Sequence, residues 1–255
     1  MIEFIKGEGG GNDFVLIPHK DNFNFSKFAS RILRRGFSVG GDGLIVMDGE
    51  RMRFFNPDGR EVPFCGNGVR VFFYLLYLQG KVKEKGEIKT GAGEVKLTCN
   101  DKGMVGALMP EIEIGRRMEE GVMIYCGVPH LVVHSDKVED IDVEKEGKRL
   151  STLQNGGNNV DWFSKDDGVL SVRTFERGVE RETLSCASGI ASVSYFLMKA
   201  TGREKFRIKT KGGDFKAFLD NKLATRLWLK GNVKIVFKGN LLEKEESWVK
   251  EEIMI

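Results

Sequence analysis

Short runs of apolar and β-branched residues, separated by glycine, asparagine and aspartate, dominate the hydrophobic pattern of this chain. Runs of this length between turn-forming residues are typical of β-strands. The 32 glycines agree with a chain that turns often. The pattern predicts strands at residues 14–17, 44–47, 51–55, 94–97, 131–133, 169–175 and 234–237.

Three segments instead show apolar residues at helical spacing. Residues 24–35 are amphipathic, whereas residues 69–78 and 190–200 are apolar on nearly every face and are followed by Gly80 and Gly202. A helix without a polar face must be enclosed by other elements. The pattern therefore predicts two β-rich domains, each wrapped around one central helix.

The segments that lead into these two apolar helices repeat one another. Cys65 and Cys186 each follow a glutamate by four residues and precede a glycine by three. Residues 88–96 likewise recur as residues 208–216. The offsets between the copies, 121 and 120 residues, agree within one residue and indicate a duplicated domain rather than a short-period repeat. We expect domains at residues 1–110 and 111–233.

The composition excludes several functional classes. The chain is 41% hydrophobic and 30% charged with a net charge of +3, which is typical of a globular protein without a nucleic-acid-binding stripe. No apolar run reaches the roughly 20 residues of a membrane span, and the N-terminus lacks a signal-peptide pattern. Four cysteines in 255 residues do not make a disulfide scaffold, so we expect free thiols in a cytoplasmic protein.

Each matched cysteine stands where a loop becomes a helix. The free N–H groups of the first helical turn and the positive end of the helix dipole favour a thiolate, so we expect both thiols to have a pKa below the ordinary value of about 8.5. The same N–H groups can hold a carboxylate. Each loop therefore predicts a base beside an anion-binding site, whereas Cys99 and Cys126 lack this setting and are interpreted as structural.

Three further residues could support the thiols. His130 stands beside a strand start, where a neutral imidazole could accept a thiol proton. Glu176 and Arg177 end a predicted strand ten and nine residues before Cys186. Glu176 could assist that thiol, and Arg177 could bind a substrate carboxylate with two hydrogen bonds. The alternative is that these two residues form a surface ion pair.

Two further segments suggest other functions, a metal site and a nucleotide-binding loop. Cys126, His130 and His134 are spaced by four residues and would line one face of a helix as metal ligands, but Pro129 and the β-rich residues after it disfavour a helix there. The glycine-rich residues 7–12 suggest a nucleotide-binding loop, although no Gly-Lys-Ser/Thr sequence follows them.

Together these motifs resemble those of the diaminopimelate epimerase family along nearly the whole chain. The segments that carry the resemblance are residues 11–14, 39–43, 56–59, 65–68 and 176–178, the last leading to Cys186. The resemblance implies an α+β fold of two pseudo-symmetric domains, each a mixed β-barrel around a central helix, with the active site in the cleft. It also implies that a C-terminal strand near residues 234–240 joins the first domain.

The resemblance further implies an isomerase that interconverts LL- and meso-diaminopimelate, for lysine and cell-wall precursor biosynthesis, without pyridoxal phosphate, another cofactor or a metal. Cys65 and Cys186 would be the acid/base pair, with His130 assisting Cys65 and Glu176 assisting Cys186. The only partner expected is a small amino-acid substrate, with no nucleic acid or membrane, and a homodimer is left open. The implied substrate-binding residues are Asn12, Asn56, Gly66, Asn67, Asn159, Glu176, Arg177, Ala187 and Ser188.

The chain departs from the family pattern at a few positions. Val128 stands where the family has an asparagine that contacts the distal end of the substrate, Asp161 replaces an asparagine, and the second cysteine is followed by Ala187 and Ser188. A buried polar group left without a partner costs on the order of 1 to 3 kcal/mol. Val128 therefore keeps open an alternative, a cofactor-independent epimerase or racemase of another amino acid.

Overall fold

The structure, a computed structural model, describes residues 2–242 and Trp248. The chain divides into two compact units, the first comprising Met1–Val105 and the segment from Val233 onward, and the second comprising Gly106–Asn232. The helices are α1 (Phe25–Ile32), α2 (Gly66–Leu78), α3 (Val143–Leu150) and α4 (Ala187–Thr201). The strands are β1 (Ile2–Gly9), β2 (Asn12–Pro18), β3 (Gly43–Asp48), β4 (Arg51–Phe55), β5 (Glu61–Val62), β6 (Lys85–Thr90), β7 (Gly93–Thr98), β8 (Met104–Leu108), β9 (Ile112–Arg117), β10 (Val122–Cys126), β11 (Val128–His134), β12 (Asn159–Asp166), β13 (Val169–Glu176), β14 (Arg181–Thr183), β15 (Lys205–Thr210), β16 (Gly213–Leu219) and β17 (Leu227–Leu241).

The first unit is a mixed barrel. Antiparallel pairing joins β17 to β1 and β1 to β2, and parallel pairing then joins β2 to β3. The hairpin of β3 and β4 continues the barrel, β4 runs parallel to β6, and β6 pairs antiparallel with β7. The short strand β5 pairs with the end of β4, directly before α2 begins. The chain therefore enters the central helix from the end of a strand.

The second unit repeats this order of pairings. Strands β10 and β11 form a hairpin, β11 runs parallel to β12, and β12 pairs antiparallel with β13. Strand β13 runs parallel to β15, which pairs with β16, and β16 pairs with β17. The short strand β14 pairs with the end of β13, directly before α4. The sequence repeat thus corresponds to a repeated topology, and the predicted fold class, paired α+β barrels around central helices, is confirmed.

The two central helices are buried as their apolar sequences require. Helix α2 packs against β1, β2, β3 and β4, and its residues from Asn67 to Leu76 are all buried. Helix α4 packs against strands of the second unit and ends at Gly202, which adopts a left-handed conformation with φ of 71°. Burial of an apolar helix on every side stabilises each barrel through the hydrophobic effect.

The structure also contains elements that the hydrophobic pattern did not predict. Strand β1 is rich in glycine, and α3 buries only Val143, Gly147 and Leu150 along one stripe. The glycine-rich residues 7–12 form the end of β1 and its tight turn into β2, in which Gly10 and Gly11 have φ of 66° and 81°. These glycines therefore form a β-hairpin turn rather than a nucleotide-binding loop.

Within the described residues, no helix is long and apolar enough to cross a membrane.

Candidate active site

Cys65 is the N-cap residue of α2, the helix start expected from the sequence. Its backbone is extended, with φ of −138° and ψ of 110°, and its Sγ accepts a hydrogen bond from the N–H of Gly68 at 3.3 Å. The side chain is half-buried. Gly66, the first residue of the helix, adds a backbone without a side chain beside the sulfur. The loop therefore combines a thiol with the N–H groups of a helix start.

A chain of hydrogen bonds orients two amide side chains near this thiol. Arg70, which is only 1% exposed, donates from Nη2 to Oδ1 of Asn67 at 2.5 Å. Asn67 donates from Nδ2 to Oδ1 of Asn12 at 2.6 Å. Asn12 then donates from Nδ2 to Oδ2 of Asp42 at 3.2 Å. A guanidinium at one end and a carboxylate at the other fix which way each amide points.

The buried guanidinium of Arg70 is electrostatically coupled to Cys65. Burial lowers the pKa of Arg70 to about 10, while the negative charges of the Cys65 thiolate and of Glu8 act in the opposite direction. The sequence did not identify Arg70, which interrupts an otherwise apolar helix. A charged residue within an apolar helix is the sequence signal that could have identified Arg70.

Near Asn12, four charged side chains form a cluster of ion pairs between opposite charges. Asp13 pairs with Lys6 at 2.7 Å and with Arg35, which also binds Asp42 at 2.9 Å. Burial would raise the pKa of Asp13, but hydrogen bonds from Arg35 and Lys6 outweigh it and lower that pKa to about 2. The cluster anchors the strand end that carries Asn12.

Asp13→Asn is expected to destabilise the protein by on the order of 1 to 2 kcal/mol near neutral pH. The folded-state pKa of Asp13 lies below the ordinary value of 3.8, so its contribution is present above about pH 4 and is lost as the pH falls through about 2. Urea denaturation at several pH values should show this gap closing in acid. Asp21→Asn, at a side chain 98% exposed, is the control, and equal destabilisation by both variants would contradict the assignment.

Asn56 closes the turn that precedes the first cysteine loop. Its N–H donates to the carbonyl oxygen of Arg60 at 2.9 Å, and its own carbonyl accepts from the N–H of Gly59 at 2.9 Å. Gly59 has φ of 85°, and a Cβ at this position would lie 2.6 Å from the carbonyl oxygen of Ser26. The turn therefore requires glycine there, and it holds Asn56 at the end of β4.

Cys186 occupies the matching place in the second unit, as the N-cap residue of α4. Its side chain is more enclosed than that of Cys65, with 7% exposure. The sulfur lies 3.4 Å from Oγ of Ser188 and 3.9 Å from Nδ2 of Asn159. Ala187 begins the helix. This loop therefore surrounds its thiol with polar side chains of α4 and β12.

The expectation of a lowered pKa at this helix start is wrong for Cys186. Burial raises the pKa of the Cys186 thiol well above its usual range, and the negative charges of Glu176 and Asp161 raise it further. The Ser188 hydroxyl and the N–H of Gly189 act in the opposite direction without compensating. The effects of burial and of the two carboxylates on the pKa of Cys186 exceed the effect of the helix N-terminus. Cys186 therefore keeps its proton at neutral pH.

Glu176 and Arg177 lie at the end of β13, beside this loop. Glu176 accepts a hydrogen bond from Oγ1 of Thr183 at 2.6 Å. The backbone N–H of Arg177 donates to Oδ1 of Asn159 at 2.9 Å, which orients the amide next to the sulfur. The Arg177 guanidinium donates from Nη1 to the carbonyl oxygens of Gly156 at 2.6 Å and Gly157 at 3.1 Å. One edge of this guanidinium therefore ties down the preceding loop.

His130 is completely buried in the second unit and is bound to a carboxylate. Its Nδ1 lies 2.7 Å from Oδ2 of Asp161, and Oδ1 of Asp161 accepts from Oγ1 of Thr174 at 2.7 Å. Among the described residues, Nε2 of His130 has no hydrogen-bond partner. A neutral ring that donates from Nδ1 to the carboxylate presents a lone pair at Nε2. Asp161 was noted in the sequence only as a departure, although an aspartate within an apolar strand is itself a signal.

The two loops share a backbone arrangement but differ in what lies beneath them. The parallel register pairs Phe14 with Gly43 in the first unit and His130 with Asn159 in the second, so Ile45 is the counterpart of Asp161. An aliphatic side chain thus replaces a carboxylate at equivalent positions. The pseudo-symmetry of the fold does not extend to the electrostatics of the thiols.

The structure does not place Cys126, His130 and His134 on one helix, as a metal site at these residues would require. Cys126 ends β10, whereas His130 and His134 lie on β11, so the spacing of four residues does not place them on a helical face. Burial raises the pKa of Cys126 to about 12, which disfavours the thiolate that a metal would need. No cluster of three metal-ligating side chains occurs among the residues that the structure describes.

A family model and sequence relatives both match this chain to diaminopimelate epimerases. A family model described as diaminopimelate epimerase matches residues 4–112. The chain is similar to the diaminopimelate epimerase of Thermotoga maritima, with 36% identity over 76% of this chain and 83% of that protein. It is similar to that of Aquifex aeolicus, with 32% identity over 95% and 99% of the two chains.

Solved structures with the same fold are more distant in sequence. A phenazine biosynthesis protein of the PhzF family from Bacillus anthracis has a TM-score of 0.73 at 14% identity, covering 95% of this chain and 99% of that one. A probable proline racemase from Agrobacterium radiobacter has a TM-score of 0.70 at 15% identity, covering 95% and 94%. At this level of identity the likeness shows the fold alone.

Proposed function

Because the chain belongs to the diaminopimelate epimerase family, we propose that it is an isomerase that interconverts LL- and meso-diaminopimelate, a step of lysine biosynthesis. The observation that supports the chemistry is the pair of cysteines at matching helix N-caps, Cys65 and Cys186. Two thiols allow a proton to leave one face of the α-carbon and another to arrive on the opposite face.

In the proposed reaction, one thiolate removes the α-proton and the other thiol protonates the opposite face. The α-proton of an amino acid is very weakly acidic, so the developing carbanion needs stabilisation. N–H groups at the starts of α2 and α4 can bind the α-carboxylate and stabilise the negative charge. Gly66 in the first loop and Ala187 in the second are small enough to leave these groups accessible.

The remaining polar residues are proposed to bind and orient the substrate. Asn12, Asn56 and Asn67 would do so from the first unit. Asn159, Glu176, Arg177 and Ser188 would do so from the second. The proposal keeps Glu176 as the partner of Cys186, supported by its electrostatic effect on that thiol. The assignment of His130 to Cys65 stays a prediction, and the bond to Asp161 gives the imidazole the tautomer that a base requires.

Another amino acid as the substrate is not favoured. The curated relatives that match most of the chain at 29–36% identity are named diaminopimelate epimerases. The proline racemase of the same fold shares only 15% of its residues with this chain. Val128, the departure that motivated this alternative, is 37% exposed at the start of β11.

The proposed surroundings of the enzyme follow from its chemistry. Both thiols must stay reduced to act as acid and base, and a reducing cytoplasm provides that condition. None of the four cysteines, all of which lie within the described residues, forms a disulfide. The proposed partner is the small amino-acid substrate, and a homodimer remains a prediction.

The substrate is tested by incubating the purified protein with a panel of L-amino acids and diaminopimelate stereoisomers and separating the products by chiral chromatography. We expect LL-diaminopimelate to yield the meso form and the meso form to yield LL, with proline and hydroxyproline unchanged. Inversion of another amino acid without conversion of diaminopimelate would reject this substrate while leaving the two-thiol chemistry intact.

A further inference from the structure

The glutamate that stands four residues before each helix-start cysteine binds an arginine of the neighbouring strand with both carboxylate oxygens. Arg53 on β4 donates from Nε to Oε1 of Glu61 at 2.8 Å and from Nη2 to Oε2 at 2.7 Å. Arg173 on β13 donates in the same way to Glu182, at 2.7 and 2.8 Å. The arginines are 120 residues apart and the glutamates 121, the offsets of the sequence repeat. The ion pair is therefore part of the repeated unit.

The second repeated segment of the sequence forms a hairpin turn that binds the same stretch of chain before each cysteine. In the turn between β6 and β7, the N–H of Ala92 donates to the carbonyl oxygen of Pro63 at 3.1 Å. In the turn between β15 and β16, the N–H of Gly212 donates to the carbonyl oxygen of Leu184 at 2.7 Å. Pro63 and Leu184 each precede their cysteine by two residues. Both repeated motifs therefore meet at the segments that lead to the cysteines.

The two hairpin turns also contact these segments through positions that differ between the halves. Gly91 lies so close to the first segment that a Cβ there would be 2.8 Å from Cα of Pro63. Lys211 takes the matching position in the second turn and donates from Nζ to Oε2 of Glu182 at 2.7 Å. Each turn therefore packs directly on the segment that it binds, and the second turn joins the ion pair as well.

Each arginine is in turn held by its own unit. The guanidinium of Arg53 lies over the rings of Phe25 and Phe55, 5.3 and 5.1 Å from their centroids. Arg173 donates from Nη1 to three carbonyl oxygens of residues 138–141 at 2.7 to 3.3 Å. Because the guanidinium is fixed on its far side, a fork of two hydrogen bonds gives the glutamate one preferred position.

Resting on the two-thiol reaction proposed above, we propose that the Arg53–Glu61 and Arg173–Glu182 pairs are positioning residues, which hold the segments that direct the sulfurs of Cys65 and Cys186. Each cysteine is an N-cap residue with an extended backbone, so its side chain follows the path of the preceding segment. The reaction requires both sulfurs to address one carbon from opposite faces. A displacement of about 1 Å can cost on the order of 100-fold in rate.

The alternative role for these pairs is stability alone. Their side chains are 14–44% exposed, and ion pairs with this access to solvent add little to the free energy of unfolding. A stability role would lower the unfolding midpoint and leave the turnover of the folded enzyme unchanged. A positioning role lowers turnover in a protein that remains folded, so the two roles predict different measurements.

Glu61→Gln and Glu182→Gln test the proposal by steady-state kinetics with LL-diaminopimelate. An amide accepts at only one of its two atoms, so each fork is lost. We expect kcat to fall by about 10-fold in each variant and KM to stay within about threefold, because the helix N–H groups that bind the α-carboxylate remain. Glu3→Gln, which removes an exposed ion pair with Lys238 between β1 and β17, is the control and should keep the kcat of the wild type.

A double-mutant cycle tests whether arginine and glutamate act as one unit. Arg53→Lys keeps the positive charge but cannot form the fork, so it should lower kcat about as much as Glu61→Gln. The double variant should lose no more than the larger of the two single losses, because both substitutions remove the same contact. Losses that multiply, or an unchanged kcat in folded Glu61→Gln and Glu182→Gln, would overturn the proposal.

Amide hydrogen exchange of the enzyme without substrate tests the positioning separately from the reaction. Glu61→Gln should accelerate exchange several-fold in peptides of the first cysteine loop and of the turn between β6 and β7, and leave the second loop unchanged. Glu182→Gln should do the reverse. Equal acceleration in both loops, or none, would contradict the proposal. If the wild type fails to convert diaminopimelate, the proposed substrate is wrong, and exchange still decides whether the ion pairs hold the loops.

Discussion

Replacing either Cys65 or Cys186 with alanine is expected to lower the rate of epimerisation by on the order of 1,000-fold or more. A positioned general acid or base contributes about 10²- to 10⁴-fold, and each variant lacks one member of the pair. The loss should fall on kcat, since the helix N–H groups that bind the α-carboxylate remain. Steady-state kinetics in both directions measures it.

The same chain offers a control for this loss. Cys99 is buried in the first unit, and burial raises its pKa to about 11. It lies outside both helix-start loops. Cys99→Ala is expected to keep kcat within a few-fold of the wild type. Near-normal turnover by Cys65→Ala or by Cys186→Ala would contradict the two-thiol account.

Gly189→Ala is expected to cause the largest loss of stability among single substitutions in the second loop. The new Cβ would lie 2.0 Å from Oδ1 and 2.7 Å from Cγ of Asp161, a group that His130 and Thr174 hold in place. Overpacking of a well-packed interior typically costs about 1 to 3 kcal/mol, and displacing the buried carboxylate would also break its hydrogen bonds. Chemical denaturation measures the change.

Gly68→Ala is the matched control, at the same position of the first loop. Its Cβ would meet Sγ of Cys65 at 3.3 Å and Cδ1 of Ile45 at 3.4 Å, which small shifts can accommodate. Alanine also favours a helix over glycine by up to about 1 kcal/mol. We therefore expect little loss of stability. Equal destabilisation by the two substitutions would contradict the placement of Asp161 under α4.

The sequence was sufficient to predict the central helices and their cysteines. Helices α2 and α4 are apolar on nearly every face, and a helix of this kind must be enclosed by other elements. The repeat of the cysteine motif then located both thiols at helix starts without knowledge of any contact. These predictions succeeded because they depend on local periodicity and on the similarity of two segments of one chain.

The electrostatics of the thiols could not be predicted in the same way. The local argument from the helix terminus treats Cys65 and Cys186 alike, whereas in the structure Cys65 interacts electrostatically with Arg70, and Cys186 interacts with the carboxylates of Glu176 and Asp161. The position of Asp161 beside α4 depends on the parallel pairing of β11 with β12. Helix α3 was missed for a related reason, since its stripe of buried residues is too narrow to stand out from a polar segment.

The most direct test of the central claim is the fate of the α-proton during one conversion of LL-diaminopimelate to the meso form in deuterium oxide. With two thiols acting from opposite faces, the product takes its new proton from solvent-exchanged sulfur. The account predicts, at low conversion, meso product with deuterium at the inverted carbon and remaining substrate with its original proton. Product that retains the original α-proton would indicate a single base acting on both faces and would contradict the account.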